Sequence, residues 1–302
     1  MKKFFAAFIV LLAATSCTNE SVETVVENNA EQATAPVTVR VSNFSITTEE
    51  MPSGGGTTRA AENAVDYETV GAITLAFYDA DNNVAYSHTQ LRSDGSTYTT
   101  FGEFTANLPV GHYTMVAVAR NYYAGDAFTL TSPTVAAYTS ERPRETFTKV
   151  QSVTVTSATP LNLDVTLNRI SSWLKIISTD GRPASATKIK TTFAKGGKGF
   201  NPTTGLATTD TGFSQTNNPS TAVGATIEVN AVPLLYTDEE SMNITIEVLD
   251  ADENVIGTKV VNNVPFKRNR VTKLTGAVFT AGTSGAGFKL ETTWLSDYNM
   301  DF

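Results

Sequence analysis

The sequence predicts an all-β protein made of two β-sandwich domains in tandem, and three observations carry that prediction. Threonine occupies 48 of the 302 positions, and its β-branched side chain suits strands better than helices. Short runs of alternating apolar and polar residues recur along the chain, separated by turn residues, and no long stretch after the N-terminal segment repeats at the helical period. The third observation is an internal echo. FYDADNNVAYS (77–87) and VLDADENVIGT (248–258) match as apolar-apolar-Asp-Ala-Asp-x-Asn-Val, each between two alternating runs. A length of 302 residues accommodates two domains of ordinary size.

The N-terminus reads as an export signal (1–17). Lys2 and Lys3 precede an apolar run of 11 residues (4–14), too short to span a bilayer permanently. Small residues then lead to Cys17, the single cysteine of the chain. That combination resembles a bacterial lipoprotein signal, in which the cysteine is acylated and becomes the mature N-terminus. With no second cysteine, an intramolecular disulfide is impossible. Residues 18–36 are polar, acidic and unpatterned, as expected of a flexible tether.

A first strand is expected at 37–46. Val37, Val39 and Val41 alternate with Thr38 and Arg40, then the phase slips to Phe44 and Ile46, which predicts a bulge near Ser42 and Asn43. Segment 47–68 contains Pro52, three consecutive glycines at 54–56 and no periodicity, and reads as an exposed, mobile loop carrying Arg59. The N-terminal domain (37–168) continues through strands at 72–79, 84–91, 101–108, 112–120, 151–157 and 160–167, with 121–150 read as irregular. The C-terminal domain (169–302) has strands at 171–179, 225–236, 242–250, 254–264 and 270–280, with long loops over 194–225. A last strand at 288–295 places Phe288, Leu290, Thr292 and Trp294 on one face, behind a glycine-rich stretch that suits a hinge.

Net charge is −8 with 41% apolar and 17% charged residues. This supports a packed core and disfavours nucleic acid and anionic lipid surfaces as partners. The sequence names no cofactor, metal or catalytic group. The two Asp-Ala-Asp turns fail the EF-hand pattern, which needs Gly where Val84 and Val255 stand. His88 and His112 lie far apart in no metal-ligand spacing, and no nucleophile-elbow or phosphate-loop motif occurs. An enzyme is therefore not expected.

Thr58-Arg59-Ala60 would suit an arginine-specific protease, which needs an extended segment. If strand 37–46 belongs to the first sheet, a cut at Arg59 would free it and leave an apolar groove bordered by unpaired backbone groups. A strand from another chain could fill that groove by β-augmentation. Segment 288–295 is a candidate donor; the competing reading makes it the last strand of its own domain.

At this point the residues resemble a family, the fimbrillins of Bacteroidales, subunits of lipoprotein-derived (type V) pili. LNRISSWLKI (167–176), NLPVGHYTMVAVA (107–119) and FKRNRVTKLTG (266–276) are similar to that family's usual phrases. The resemblance implies transthyretin-like sandwiches, acylation at Cys17, a cut between Arg59 and Ala60, and polymerisation by strand exchange. It implies copies of the chain or related fimbrial subunits as partners, and membrane contact only through the lipid on an outer-membrane precursor. The mature form would lie in an extracellular fimbria. The alternative is an outer-membrane lipoprotein that binds surface glycans, using Tyr122, Tyr123 and Tyr138.

Overall fold

The computed structural model describes residues 33–48, 58–139, 142–219, 221–280 and 288–292. Strands and turns dominate them, with a single turn of 3-10 helix at Gly95–Thr97. No helix among the described residues is long and apolar enough to cross a membrane.

The first half begins with β1 (Thr34–Thr48) and its hairpin partner β2 (Thr58–Asn63). Then come β3 (Ala72–Tyr78), β4 (Val84–Leu91), β5 (Glu103–Pro109) and β6 (Gly111–Arg120). Next are β7 (Phe128–Ser132), β8 (Val135–Tyr138), β9 (Thr146–Val155) and β10 (Leu161–Arg169). Eight of these form one sheet in the order β2-β1-β10-β9-β6-β3-β4, with β5 also paired to β1. β10 meets β9 at Asn168 and Arg169, and the two wings beyond that corner enclose a common core. Val37, Val39 and Val41 of β1 and Phe104 and Leu108 of β5 pack with Ile73, Leu75 and Phe77 of β3 and Met115 and Ala117 of β6. The alternation of β1 decides this placement, because a period of two sends every second side chain to the same face.

The second half holds β11 (Trp173–Ser178), β12 (Lys188–Phe193), β13 (Gly199–Asn201), β14 (Leu206–Ala207) and β15 (Phe213–Asn217). It continues with β16 (Glu228–Ala231), β17 (Glu239–Leu249), β18 (Val255–Lys267), β19 (Val271–Gly276) and β20 (Lys289–Thr292). One four-stranded sheet runs β16-β11-β19-β20 and another β15-β12-β17-β18. Leu174, Ile176, Leu274 and Leu290 of the former and Ile189, Ile244, Ile246 and Phe266 of the latter share the second core. This is a β-sandwich in which inward residues of both sheets interleave.

A third core ties the halves together. β7 and β8 pair with each other, and β8 pairs with β13 of the second half, so that β14-β13-β8-β7 make a small antiparallel sheet. Tyr138 and Phe200 beneath it pack on Tyr78, Val116 and Val118, the outward face of β3 and β6, together with Ile170 and Leu234. The first core draws on residues up to Leu167 and the second begins at Leu174. The stretches 121–150 and 194–225, expected to be irregular, contain β7, β8, β13, β14 and β15. Strands of two to five residues are too short to show a period, and the pairing of β8 with β13 joins positions some sixty residues apart.

The two echoed turns have the same construction. Asp79 Oδ1 accepts the backbone N–H of Asp81 and Asn83 at 2.9 and 2.8 Å. Asp250 Oδ1 accepts those of Asp252 and Asn254 at 3.0 and 2.9 Å. Asn82 and Glu253 take the left-handed backbone that closes each turn, with φ of 62° and 67°. Each carboxylate is an Asx-turn acceptor.

Candidate strand-exchange site

β1 is an interior strand. It runs parallel to β10, from Val37 opposite Leu161 to Ser45 opposite Asn168. On its other side the N-terminal part pairs antiparallel with β5, Thr34 opposite Pro109 to Arg40 opposite Glu103. The C-terminal part pairs with β2, Asn43 opposite Asn63 to Thr48 opposite Thr58. The register slips between Val41 and Asn43, where the sequence predicts a bulge. There Val41 donates its N–H to the Gly102 carbonyl at 2.9 Å, and the Ser42 hydroxyl donates to the Val165 carbonyl at 3.3 Å. Gly102 has φ of +91°, and a Cβ there would lie 3.2 Å from the Val41 carbonyl, so the bulge needs a residue without a side chain.

Val37, Val39, Val41 and Phe44 are at most 2% exposed. Phe44 meets the ring of Phe147 at 4.7 Å and that of Tyr67 at 5.7 Å. At roughly 1.5–3 kcal/mol per buried side chain, these four supply on the order of 6–12 kcal/mol of gross hydrophobic stabilisation. On the outer face an exposed ion pair joins Arg40 to Glu103 at 3.2 Å.

The expected open loop at 47–68 is corrected in part. Arg59 and Ala60 lie in β2, opposite Thr47 and Ile46. The small residues of Thr58–Asn63 carry no strand signature, and the neighbouring glycines make the stretch read as a loop; β1 supplies the ladder that extends it. β2 is the last strand of its sheet, so among the described residues one of its edges has no strand partner.

Immediately after β2 the chain is tied down. The Arg92 guanidinium donates to the carbonyls of Ala64, Val65, Tyr67 and Val70 at 2.8–3.1 Å and lies 4.1 Å from the Phe101 ring centre. Beside it, Glu145 (4% exposed side chain) accepts from Arg169 at 2.6 Å, from the Tyr67 hydroxyl at 2.9 Å and from the Thr69 hydroxyl at 3.1 Å. Burial, and next the charge of Glu145, push the Tyr67 hydroxyl above its ordinary value, which keeps it a donor. These residues lack a local sequence signature, because the cluster joins positions about a hundred residues apart.

Phe288 and Leu290, each 3% exposed, sit in the second core, and β20 pairs antiparallel with β19 at the end of its own sheet. Thr292 ends β20 opposite Thr272 and is partly buried. Cys17 and Trp294 lie outside the described residues. Of the three candidate glycan-binding rings, Tyr123 is 56% exposed and stands 4.6 Å from the Arg144 guanidinium. Tyr122 is half-buried beside Arg120, and Tyr138 is 2% exposed in the third core. They form no common flat face. Among the described residues no group of three or more His, Cys, Asp or Glu is arranged to hold a metal.

The family model described as "Family of unknown function (DUF6562)" matches residues 33–298, and the chain belongs to that family. A search of curated proteins returns no match. Among solved structures, a protein from Bacteroides thetaiotaomicron, provisionally named as polysaccharide-binding, aligns with a TM-score of 0.54 at 11% identity, over 88% of this chain and 100% of that one. A provisionally named adhesin from Bacteroides ovatus aligns with a TM-score of 0.50 at 13% identity, over 86% and 94%. The fimbrial anchor protein Mfa2 from Porphyromonas gingivalis aligns with a TM-score of 0.47 at 12% identity, over 80% and 90%. The likeness to the first two is one of fold.

Proposed function

We propose that this chain is a structural subunit of a cell-surface fimbria. It is exported as a lipoprotein through Cys17, cut between Arg59 and Ala60, and joined to its neighbours by β-strand exchange. The first sandwich (37–168) accepts a strand and the second (169–302) completes the subunit. One observation carries this reading. β1 is an interior strand with a buried apolar face, and the chain leaves it through a hairpin whose second strand contains Arg59.

The geometry supports an order of events. The protease must first peel β2, an edge strand that frays at low cost. A cut then leaves β1 held by packing and hydrogen bonds alone. Because those contacts are substantial, β1 stays until an incoming strand displaces it, and the apolar groove is never left open to water. The replacement reproduces the ladder with β10 by running parallel to it, as β1 does.

In the alternative reading the chain stays lipidated and binds glycans. That role needs a platform of exposed rings, and Tyr123 alone of the three candidates is exposed. N-terminal sequencing of material from the native surface separates the two. A mature start at Ala60, lost in Arg59→Ala together with fibre growth, is the expected result. An acylated Cys17 on the mature protein, or normal fibres from Arg59→Ala, overturns the fimbrial reading.

A further inference from the structure

Besides β2, the eight-stranded sheet has two outer strands. β4 ends it on one side, and β5 hangs on β1 at the other. Among the described residues each has one edge with no strand partner, and the two edges border a cavity of about 260 Å³ that the connector 97–100 helps to line. No strand fits between them. Gln90, 3% exposed, donates its side-chain amide to the Glu103 carbonyl at 2.7 Å and accepts the Gly102 N–H at 2.7 Å. β4 is thereby laced to the start of β5, and the cavity is left for a small molecule.

Its walls are aromatic and hydroxylic. The half-buried rings of Tyr86 and Tyr98 face it. Both rings are held in place: Tyr86 stands edge-on to Phe77 at 6.2 Å, and Tyr98 donates to the Arg92 carbonyl at 3.1 Å and meets the Phe101 ring at 5.6 Å. A ligand stacking on them orders little that is not already ordered. The Tyr86 hydroxyl, the His88 ring nitrogens and the hydroxyls of Thr99 and Thr100 have no hydrogen-bond partner among the described residues. Burial pushes the Tyr86 hydroxyl above its ordinary value, so it enters the site as a donor. Glu103 is the one carboxylate of the lining, and Arg40 already donates to it at 3.2 Å.

These groups select a ligand class. An anion meets Glu103, and an organic cation finds that carboxylate taken by Arg40. An apolar molecule would strip the free hydroxyls of water and return no hydrogen bond. A sugar ring answers both halves of the lining: its C–H face packs on tyrosine, and its hydroxyls donate and accept. At roughly 30 Å³ per water the cavity holds about nine waters, room for one sugar ring and not for two. We infer that this cavity binds one neutral pyranose residue, packed on Tyr86 and Tyr98 and hydrogen-bonded by Tyr86, His88, Thr99 and Thr100. The site shares no residue with Tyr122, Tyr123 and Tyr138 and exists before any cut, so it does not rest on the fimbrial reading.

Saturation-transfer NMR on the uncut full chain tests it, with the methyl glycosides of glucose, galactose, mannose, fucose and N-acetylglucosamine as probes. At least one receives saturation from the protein. Tyr86→Phe and Thr100→Val each weaken its binding by about three- to tenfold, the loss of one hydrogen bond. Thr99→Trp, a change at an exposed connector residue that fills the cavity, abolishes binding while the Tm stays put. No transfer to any of the five probes overturns the proposal, as does transfer that survives all three variants. Stronger binding of choline or of methyl glucuronide than of every neutral probe also overturns it, by assigning the cavity to a charged ligand. A failure here leaves the cut at Arg59 and fibre growth as they stand, and normal fibres from Arg59→Ala leave the sugar titration as it stands.

Discussion

The strands at the two ends of the described chain, β1 and β20, are held in different ways. β1 is flanked on both sides from Val37 to Arg40 and from Asn43 to Ser45, and it gives Ala35, Val37, Val39, Val41 and Phe44 to the first core. β20 is four residues long, pairs on one side only among the described residues, and gives Leu290, with Phe288 just before it, to the second core. An interior strand is lost only by cutting and displacement. An edge strand can peel and re-form without a covalent step. The same polypeptide therefore carries a strand that is costly to vacate and one that is cheaper to release.

The sharpest way to break that comparison is to truncate each strand's anchor. Phe44→Ala removes a ring packed against Phe147 and Tyr67 and is expected to cost about 3–5 kcal/mol, read by thermal or denaturant unfolding of the uncut chain. Leu290→Ala should cost about 2 kcal/mol, the low end for a buried leucine, because an edge strand relaxes into the space left. Equal costs would erase the distinction.

A pH titration sharpens it next. Asp180 holds the approach to β20: its carboxylate accepts the N–H groups of Val278, Phe279 and Thr280 at 2.6–2.8 Å and the Thr280 hydroxyl at 2.8 Å. Partial burial alone would raise its pKa; the hydrogen bonds from Thr280, Val278 and Phe279 outweigh that and hold it below the ordinary 3.8. A depressed carboxyl contributes stability above its unfolded value, and that share is lost as pH falls through the lower folded value. Below pH 3.8 the second half should lose stability on this account, and Asp180→Asn should flatten that acid limb of the Tm profile. An unchanged limb would show that other carboxylates govern it.

The smallest effect belongs to the outer face of β1. Arg40→Ala breaks an exposed pair with Glu103 and should change stability by at most about 1 kcal/mol. A larger loss would mean that the outer face, and not the buried valines, holds β1.

Legibility in the sequence tracks the range of the interactions. The alternation of Val37, Val39 and Val41, the slip before Phe44 and the paired Asp-Ala-Asp turns are local patterns, and all appear in the fold. β2 is illegible because Thr58–Asn63 has neither alternation nor bulk, and becomes a strand only where β1 offers it a ladder. The small sheet joining the halves is illegible for the same reason, since β8 finds β13 across some sixty residues. The Glu145–Arg169–Tyr67 cluster and the Arg92 clamp depend on side chains brought together by the finished fold. Segment 288–295 is recognisable as an amphipathic strand, whereas the place of β20 (Lys289–Thr292) at the end of its sheet depends on β19.

The Arg92 clamp has a mechanical corollary. Four carbonyls spread over Ala64–Val70 converge on one guanidinium, just behind the hairpin that would be severed. If the chain is cut between Arg59 and Ala60, this knot stays on the retained side of the cut and holds the rim of the slot in shape while one strand displaces another. In a filament, load arriving at that junction would pass into the body of the subunit through Arg92 before it could unravel the chain.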